Sequence, residues 1–287
     1  MPSSMVGSDE GEDRSRLTAP ASRCHHAPVD VFTDLVAEAV AHPISGWDFS
    51  WLAGRLRWSD PPWSYDEIVS ALATESTSLL DLGTGGGEWL AALEGRPTRT
   101  VALEGFPPNI PVARTRLEPL GIAVIPYHSP GDNVAQTANE PRLPFPDSSF
   151  DLIVNRHESF VAEEVHRVLQ PGGMFVTEQV GSCNSLRELL GASVDGPAPI
   201  SWDLAEATRQ VHSAGLIPEE GMEATIRIEV DDVGALVWYL RAAPWEIPDF
   251  TIDRYGSRLR ALHRICSRDH MNFFQERFLL TARRPRA

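Results

Sequence analysis

Two acids and a run of glycines carry the first chemical signal in this chain. Asp81 stands near the end of the apolar run of residues 79 to 82, Gly83-Thr84-Gly85-Gly86-Gly87 follows at once, and Glu104 closes the next apolar run, 21 residues beyond Gly83. An acid at the end of a buried strand is costly unless it meets a ligand or a donor. A glycine turn at that place lets backbone amides approach a ligand closely, and an acid about 20 residues on, at the tip of the second strand, is placed to accept hydrogen bonds from a ribose diol. A dinucleotide would satisfy the diol equally well. Its fingerprint, however, counted from Gly83, needs glycine at position 88, where Glu88 sets bulk and negative charge beside the diphosphate. With Asp81 as a second anion, the pattern favours a ligand that carries positive charge and a ribose.

Elements that would position these groups can be read on both sides of the turn. Residues 79 to 82 read as a short buried strand and 88 to 93 as the helix after it. Residues 101 to 104 form a second strand, 109 to 120 its crossover helix, ended by Gly121, and 122 to 125 a third strand. The loop from 128 to 142 is longer than the roughly 2 to 6 residues usual in α/β units, which invites a functional explanation. Residues 150 to 154 read as a fourth strand that delivers Asn155, Arg156, His157 and Glu158 to the edge that holds Gly83 and Glu104. A helix over 163 to 169 follows, with Glu158 a candidate cap, then a fifth strand over 174 to 177 ending in Glu178-Gln179. Further on, the patterns predict a helix over 204 to 214, a strand over 225 to 230, a basic helix over 254 to 268 and a last strand around 278 to 280.

The stretch from Asp81 to Glu88 resembles motif I of the class I S-adenosylmethionine-dependent methyltransferases. Leu143-Pro144-Phe145-Pro146-Asp147-Ser148-Ser149-Phe150-Asp151 and Arg167-Val168-Leu169-Gln170-Pro171-Gly172-Gly173 are similar to two later blocks of the type 11 methyltransferase-domain branch, in the same order. The match is good over about residues 78 to 180 and loose elsewhere. It implies a Rossmann-like α/β fold, a seven-stranded mostly parallel sheet with helices on both faces, and S-adenosyl-L-methionine as cofactor. It further implies contacts to that cofactor from Asp81, Gly83, Thr84, Gly85, Gly87, Glu104 and Asn155. The adenine is expected beside Asn139 and Glu140, where relatives carry Asp, with Asp132 as a rival.

The rest of the chain is expected to divide into a disordered polar tail over 1–28, an N-terminal helical and aromatic cap over 29–77, and the methyltransferase domain over 78–287. Cap elements are expected near 181–200 and 231–270. Four of the eight tryptophans fall between positions 47 and 63. They either pack N-terminal helices onto the sheet or line an acceptor pocket. His157 is the candidate general base, since histidine titrates near neutral pH and the end of this strand adjoins the transferred methyl in the family it resembles.

Composition narrows the partners. A net charge of −15 argues against a broad phosphate-neutralising surface, so a small-molecule methyl acceptor is expected and nucleic acid is not. All 25 basic residues are arginine, which excludes a lysine base or Schiff base. No apolar run is long enough for a membrane span and no secretory signal is evident, so a cytoplasmic location is the default. Cys24, Cys183 and Cys266 are too few and too scattered for a disulfide framework, and no metal is expected, Cys24-His25-His26 lying in the tail. The rival readings are an RNA or protein methyltransferase, a non-catalytic relative of the fold and a nicotinamide oxidoreductase.

Overall fold

The buried run ahead of the glycines lies in the interior of an eight-stranded sheet in the computed structural model, which describes residues 30–44, 48–136, 140–192 and 201–286. The tail expected over 1–28 lies outside the described residues. The strands are β1 (Leu56–Trp58), β2 (Ser78–Leu82), β3 (Arg99–Glu104), β4 (Ala123–Pro126), β5 (Phe150–Arg156), β6 (Leu169–Asn184), β7 (Ile217–Val230) and β8 (Met271–Arg283), in the order β1-β7-β8-β6-β5-β2-β3-β4. From β6 to β4 all neighbours are parallel, while β8, β7 and β1 join antiparallel. The sheet is therefore mostly parallel, as expected, with eight strands instead of seven because the short β1 pairs with the outer edge of β7.

Parallel pairing brings the carboxyl ends of β2, β3, β5 and β6 to one edge. Asp81 is opposite Ala102 on one side and Val154 on the other, and Arg156 is opposite Glu178. Every residue of β2 is buried, which is why the strand reads as a continuous apolar run instead of an alternating one.

Helices cover both faces. Tyr65, Val69 and Ala73 of α2 (Tyr65–Glu75), Leu90 of α3 (Glu88–Ala92) and Ala113 and Leu117 of α4 (Asn109–Leu117) pack with Leu79, Val154, Val176 and Leu279. On the opposite face Val165 and Val168 of α5 (Ala162–Val168) and Ala207 and Val211 of α7 (Leu204–Ser213) pack with Leu80, Ile153, Phe175 and Phe278. A third cluster joins α1 (Val31–Ala41), α6 (Leu186–Leu190), α8 (Val233–Ala242) and α9 (Ile252–Cys266) to Ile228, Val230, Met271 and Phe273. None of these helices is long and apolar enough to cross a membrane.

Side-chain caps open four of the nine α-helices among the described residues. Ser64 accepts from the Glu67 amide, Asp203 from Glu206, Asp232 from Ala235 and Thr251 from Arg254. Asp30 stands at the N-cap of α1, but its side chain accepts from the Thr33 hydroxyl and the Arg260 guanidinium instead of a helix amide. β7 and β8 run well beyond the expected 225 to 230 and 278 to 280. The added stretch of β7 contains Pro218, Glu219, Glu220 and Gly221, residues poor in strand propensity, and is held by register with β8 from Ile217↔Arg283 to Val230↔Met271.

The aromatic stretch divides in two. Phe49 and Trp51 meet the Trp238 ring at 5.7 Å each, and Trp58 meets Tyr239 at 6.4 Å, so these pack α8. Trp63 turns toward the carboxyl edge of the sheet, described next. Trp47 lies outside the described residues.

Candidate active site

The turn after β2 is built for close approach. Gly83, Gly85 and Gly87 all have positive φ, and a Cβ at Gly83 would lie 2.6 Å from Cβ of Glu158. Gly87 caps α3 in the left-handed region, where a Cβ would meet Leu117 at 2.8 Å. Arg116 of α4 clips the turn from outside: it pairs with Glu88 at 2.5 Å and donates to the Gly86 carbonyl. Glu88, read as hostile to a diphosphate, is thus also half of an ion pair that fastens the loop.

Three carboxylates converge on this turn. Glu104, 3% exposed, accepts from the amides of Gly85 at 2.6 Å and Phe106 at 2.7 Å. Asp81, 3% exposed, leaves Oδ2 without a partner, and the neighbouring Thr84 Oγ1 is also unsatisfied. Burial pushes the Asp81 carboxyl up to about 7, with the nearby Thr84 hydroxyl opposing the shift and the charge of Glu104 adding to it. Burial raises Glu104 as well, against its amide donors, and raises Glu158, to which the Glu104 charge contributes.

Glu158 is the member the sequence reading misplaced. As a cap for the following helix it would stand just before residue 163, but α5 begins at Ala162 behind Val161, and the Glu158 carboxylate accepts from the Ser159 amide beside the glycine turn. The left-handed φ of +67° at His157 redirects the chain between the end of β5 and Glu158, which no local sequence signal announces.

Asn155, fully buried, lies beneath. Its Oδ1 accepts from Gln179 at 2.7 Å and Thr177 at 3.2 Å, while its Nδ2 finds no partner. His157 faces another group: Nε2 is 3.5 Å from Glu178, and the side chain is 35% exposed. Crowding by surrounding protein, together with the charges of Arg277 and Arg156, holds its imidazole well below the usual histidine range. Of the candidate adenine contacts, Asn139 lies outside the described residues and Glu140 is half-buried. Asp132 is spent on its own loop, accepting from the amides of Val134 and Ala135.

A polar cluster that the motif reading did not single out adjoins His157. Glu178, 1% exposed, accepts from Trp63 Nε1 at 3.0 Å and Arg156 Nε at 3.3 Å. Arg277 of β8 comes within 3.9 Å of the same carboxylate, and the Arg156 guanidinium lies over the Tyr65 ring at 5.3 Å. Like Asp81, Glu178 is an acid near the end of a buried apolar run, a signal present in the sequence. Trp63 and Arg277 come from opposite ends of the chain and give no such warning.

The arrangement suits a cationic, diol-bearing ligand. None of Asp81, Glu104 and Glu158 forms an ion pair with a described residue. Each Glu104 oxygen that takes one amide retains a second lone pair for a hydroxyl. Among the described residues no grouping of His, Cys, Asp and Glu could hold a metal ion.

Known proteins place these features in context. The profile of the family described as "Methyltransferase domain" matches residues 80–177. The chain is 29% identical over 191 residues to "Protein-L-isoaspartate O-methyltransferase" of Magnetococcus marinus, an alignment spanning 66% of this chain and 78% of that protein. It is 32% identical over 111 residues to "Probable phthiotriol/phenolphthiotriol dimycocerosates methyltransferase 2" of Mycobacterium ulcerans, spanning 36% and 38% respectively. Among solved structures, the YcgJ protein of Bacillus subtilis superposes with a TM-score of 0.53 at 18% identity, covering 77% of this chain and 98% of that one. At that identity the likeness is one of fold.

Proposed function

Because this chain belongs to the class I S-adenosylmethionine-dependent methyltransferases, we propose that it methylates an oxygen, nitrogen or carbon nucleophile of a small molecule by in-line displacement. The observation that carries the cofactor half of this reading is the convergence of buried Asp81 and Glu104 and half-buried Glu158, without cationic partners among the described residues, on a turn of bare backbone. When bound there, S-adenosylmethionine supplies an electrophilic methyl on a sulfonium.

The chain's own groups then divide the work. Glu104 would receive the ribose hydroxyls, with Gly83, Thr84, Gly85 and Gly87 lining the turn. Asp81 and Glu158 balance positive charge, and the unsatisfied Nδ2 of Asn155 offers a donor. By the resemblance, the adenine would fall near Glu140. His157, held neutral at working pH, receives the acceptor's proton where the acceptor has one. Alignment of donor and acceptor contributes most of the rate, so few catalytic side chains are needed.

The acidic net charge supports a small acceptor over nucleic acid. A protein acceptor is the second reading, favoured by the name of the Magnetococcus marinus relative. Calorimetry with S-adenosylmethionine tests the cofactor assignment: binding by the intact chain, weakened about tenfold or more in Asp81→Ala, supports it, and equal affinities overturn it. Incubation with methyl-labelled donor and a metabolite mixture containing protein then separates the acceptor classes by where the label goes.

A further inference from the structure

One face of the sheet carries four charged side chains of alternating sign on adjacent strands at the carboxyl edge. Asp81 of β2 is opposite Val154, two residues before Arg156 of β5; Arg156 is opposite Glu178 of β6; and Glu178 is opposite Leu279, two residues from Arg277 of β8. Residues opposite one another, and residues two apart, share a face of a pleated sheet, so all four point the same way.

The row is unevenly satisfied. Glu178 receives Trp63 and Arg156 and lies within 3.5 Å of His157. Arg277, whose side chain is 16% exposed, has a buried Nε without an acceptor, and its Nη1 stands 3.9 Å from Glu178, beyond hydrogen-bond reach. The polar groups around it are committed elsewhere: the Tyr239 hydroxyl and the Gln275 amide both donate to Glu246, at 3.1 and 3.0 Å. Glu178 is thus shared between two guanidiniums, of which Arg156 also has Asp66 at 3.8 Å, and burial disfavours the charge that Arg277 carries. An arginine in that condition has an anion at ion-pair distance but no acceptor that hydrogen-bonds it.

We propose that this corner binds a carboxylate of the methyl acceptor, received by the guanidinium fork of Arg277 and flanked by Arg156 and the His157 imidazole. The inference rests on the proposed small-molecule acceptor and names its class: an organic acid. Bidentate guanidinium–carboxylate pairs are strong and orienting. A carboxylate held in this way is a weakened nucleophile, so it anchors the acceptor while another atom of the same molecule takes the methyl. The partly exposed side chains of Arg156 and His157, 40% and 35%, give the anion a way in from solvent.

The test uses the full chain and two probes of matched shape, 4-fluorobenzoate and its neutral amide, titrated at millimolar concentration and followed by fluorine NMR. The expected result is carboxylate binding at least about tenfold tighter than amide binding. That preference is lost in Arg277→Met, partly kept in Arg277→Lys, and enhanced in Glu178→Gln, which removes the competing anion. No carboxylate binding, equal binding of the two probes, or a preference untouched by Arg277→Met overturns the inference. Should Arg277→Met fail to fold, Arg277→Lys and Glu178→Gln still decide it, since unchanged preferences in both overturn it. S-adenosylmethionine binding is measured on the same wild-type sample. Cofactor binding without carboxylate binding sinks only the acid site, whereas a chain that ignores the cofactor sinks the methyltransferase reading itself.

Discussion

Glu158 lies across Gly83 so closely that a Cβ at position 83 would sit 2.6 Å from the glutamate Cβ and 2.8 Å from its Oε2. The φ of +78° at Gly83 adds backbone strain for any other residue. Gly83→Ala is therefore expected to push the Glu158 carboxylate away from the turn, lowering S-adenosylmethionine affinity by about tenfold or more and costing about 1–3 kcal/mol of stability. Calorimetry and urea unfolding read the two effects; a variant that binds as well as wild type would show that the contact is idle.

Asp81 predicts opposite pH trends for the free and the bound protein. Its carboxyl is raised from 3.8 to about 7 by burial. The folded chain holds this proton more tightly than the unfolded one, so its stabilising contribution is present at low pH and is lost as pH rises through about 7. A cationic ligand favours the ionised form, so cofactor affinity should rise by about tenfold between about pH 6 and pH 8. Asp81→Asn should flatten both trends. A binding constant independent of pH in the wild type would remove Asp81 from the cofactor site.

For His157 the expectation concerns turnover. With an acceptor in hand, His157→Ala should lower kcat by about 10²- to 10⁴-fold while leaving cofactor affinity near that of wild type. Unchanged kcat on that acceptor would refute the base role. Because the imidazole is held well below 6.5 in the folded chain, the unfolded chain binds more protons as pH drops through about 6.5, and the His157 contribution to stability falls with it. Comparing wild-type and His157→Ala melting temperatures across that range isolates the contribution.

Asp151 makes a structural prediction away from the chemistry. Its carboxylate accepts from the amide and hydroxyl of Thr77 and from the amide and hydroxyl of Ser78, fastening the start of β2 to β5. These donors hold its pKa below the usual range despite partial burial. Asp151→Ala should cost about 1–3 kcal/mol in urea unfolding, and the difference from wild type should shrink as pH falls through the native pKa of Asp151. A difference independent of pH would assign the loss to packing.

How far the sequence alone reached depended on whether a group announced itself locally. Asp81, Gly83 to Gly87 and Glu104 are legible because a buried strand, a glycine turn and an acid at the next strand tip each leave a short-range pattern. The helices that follow the turn and the second strand are legible from apolar spacing and from the stop at Gly121. The length of β7 was hidden because Pro218, Glu219, Glu220 and Gly221 become strand only through pairing with β8, a contact some 60 residues away.

The order of the strands, and with it the meeting of Trp63, Arg156, Glu178 and Arg277, belongs to the tertiary structure alone. Local pattern determined where the glycine turn and its flanking acids would stand, since one strand, the turn after it and the next strand tip supply them. The corner beside it is assembled from four separate segments, and its charge balance depends on burial and on which donors are already used. Hydrogen bonds and desolvation act through space, so only folding could decide that Glu158 would lean over Gly83 and that the Arg277 Nε would be left without an acceptor.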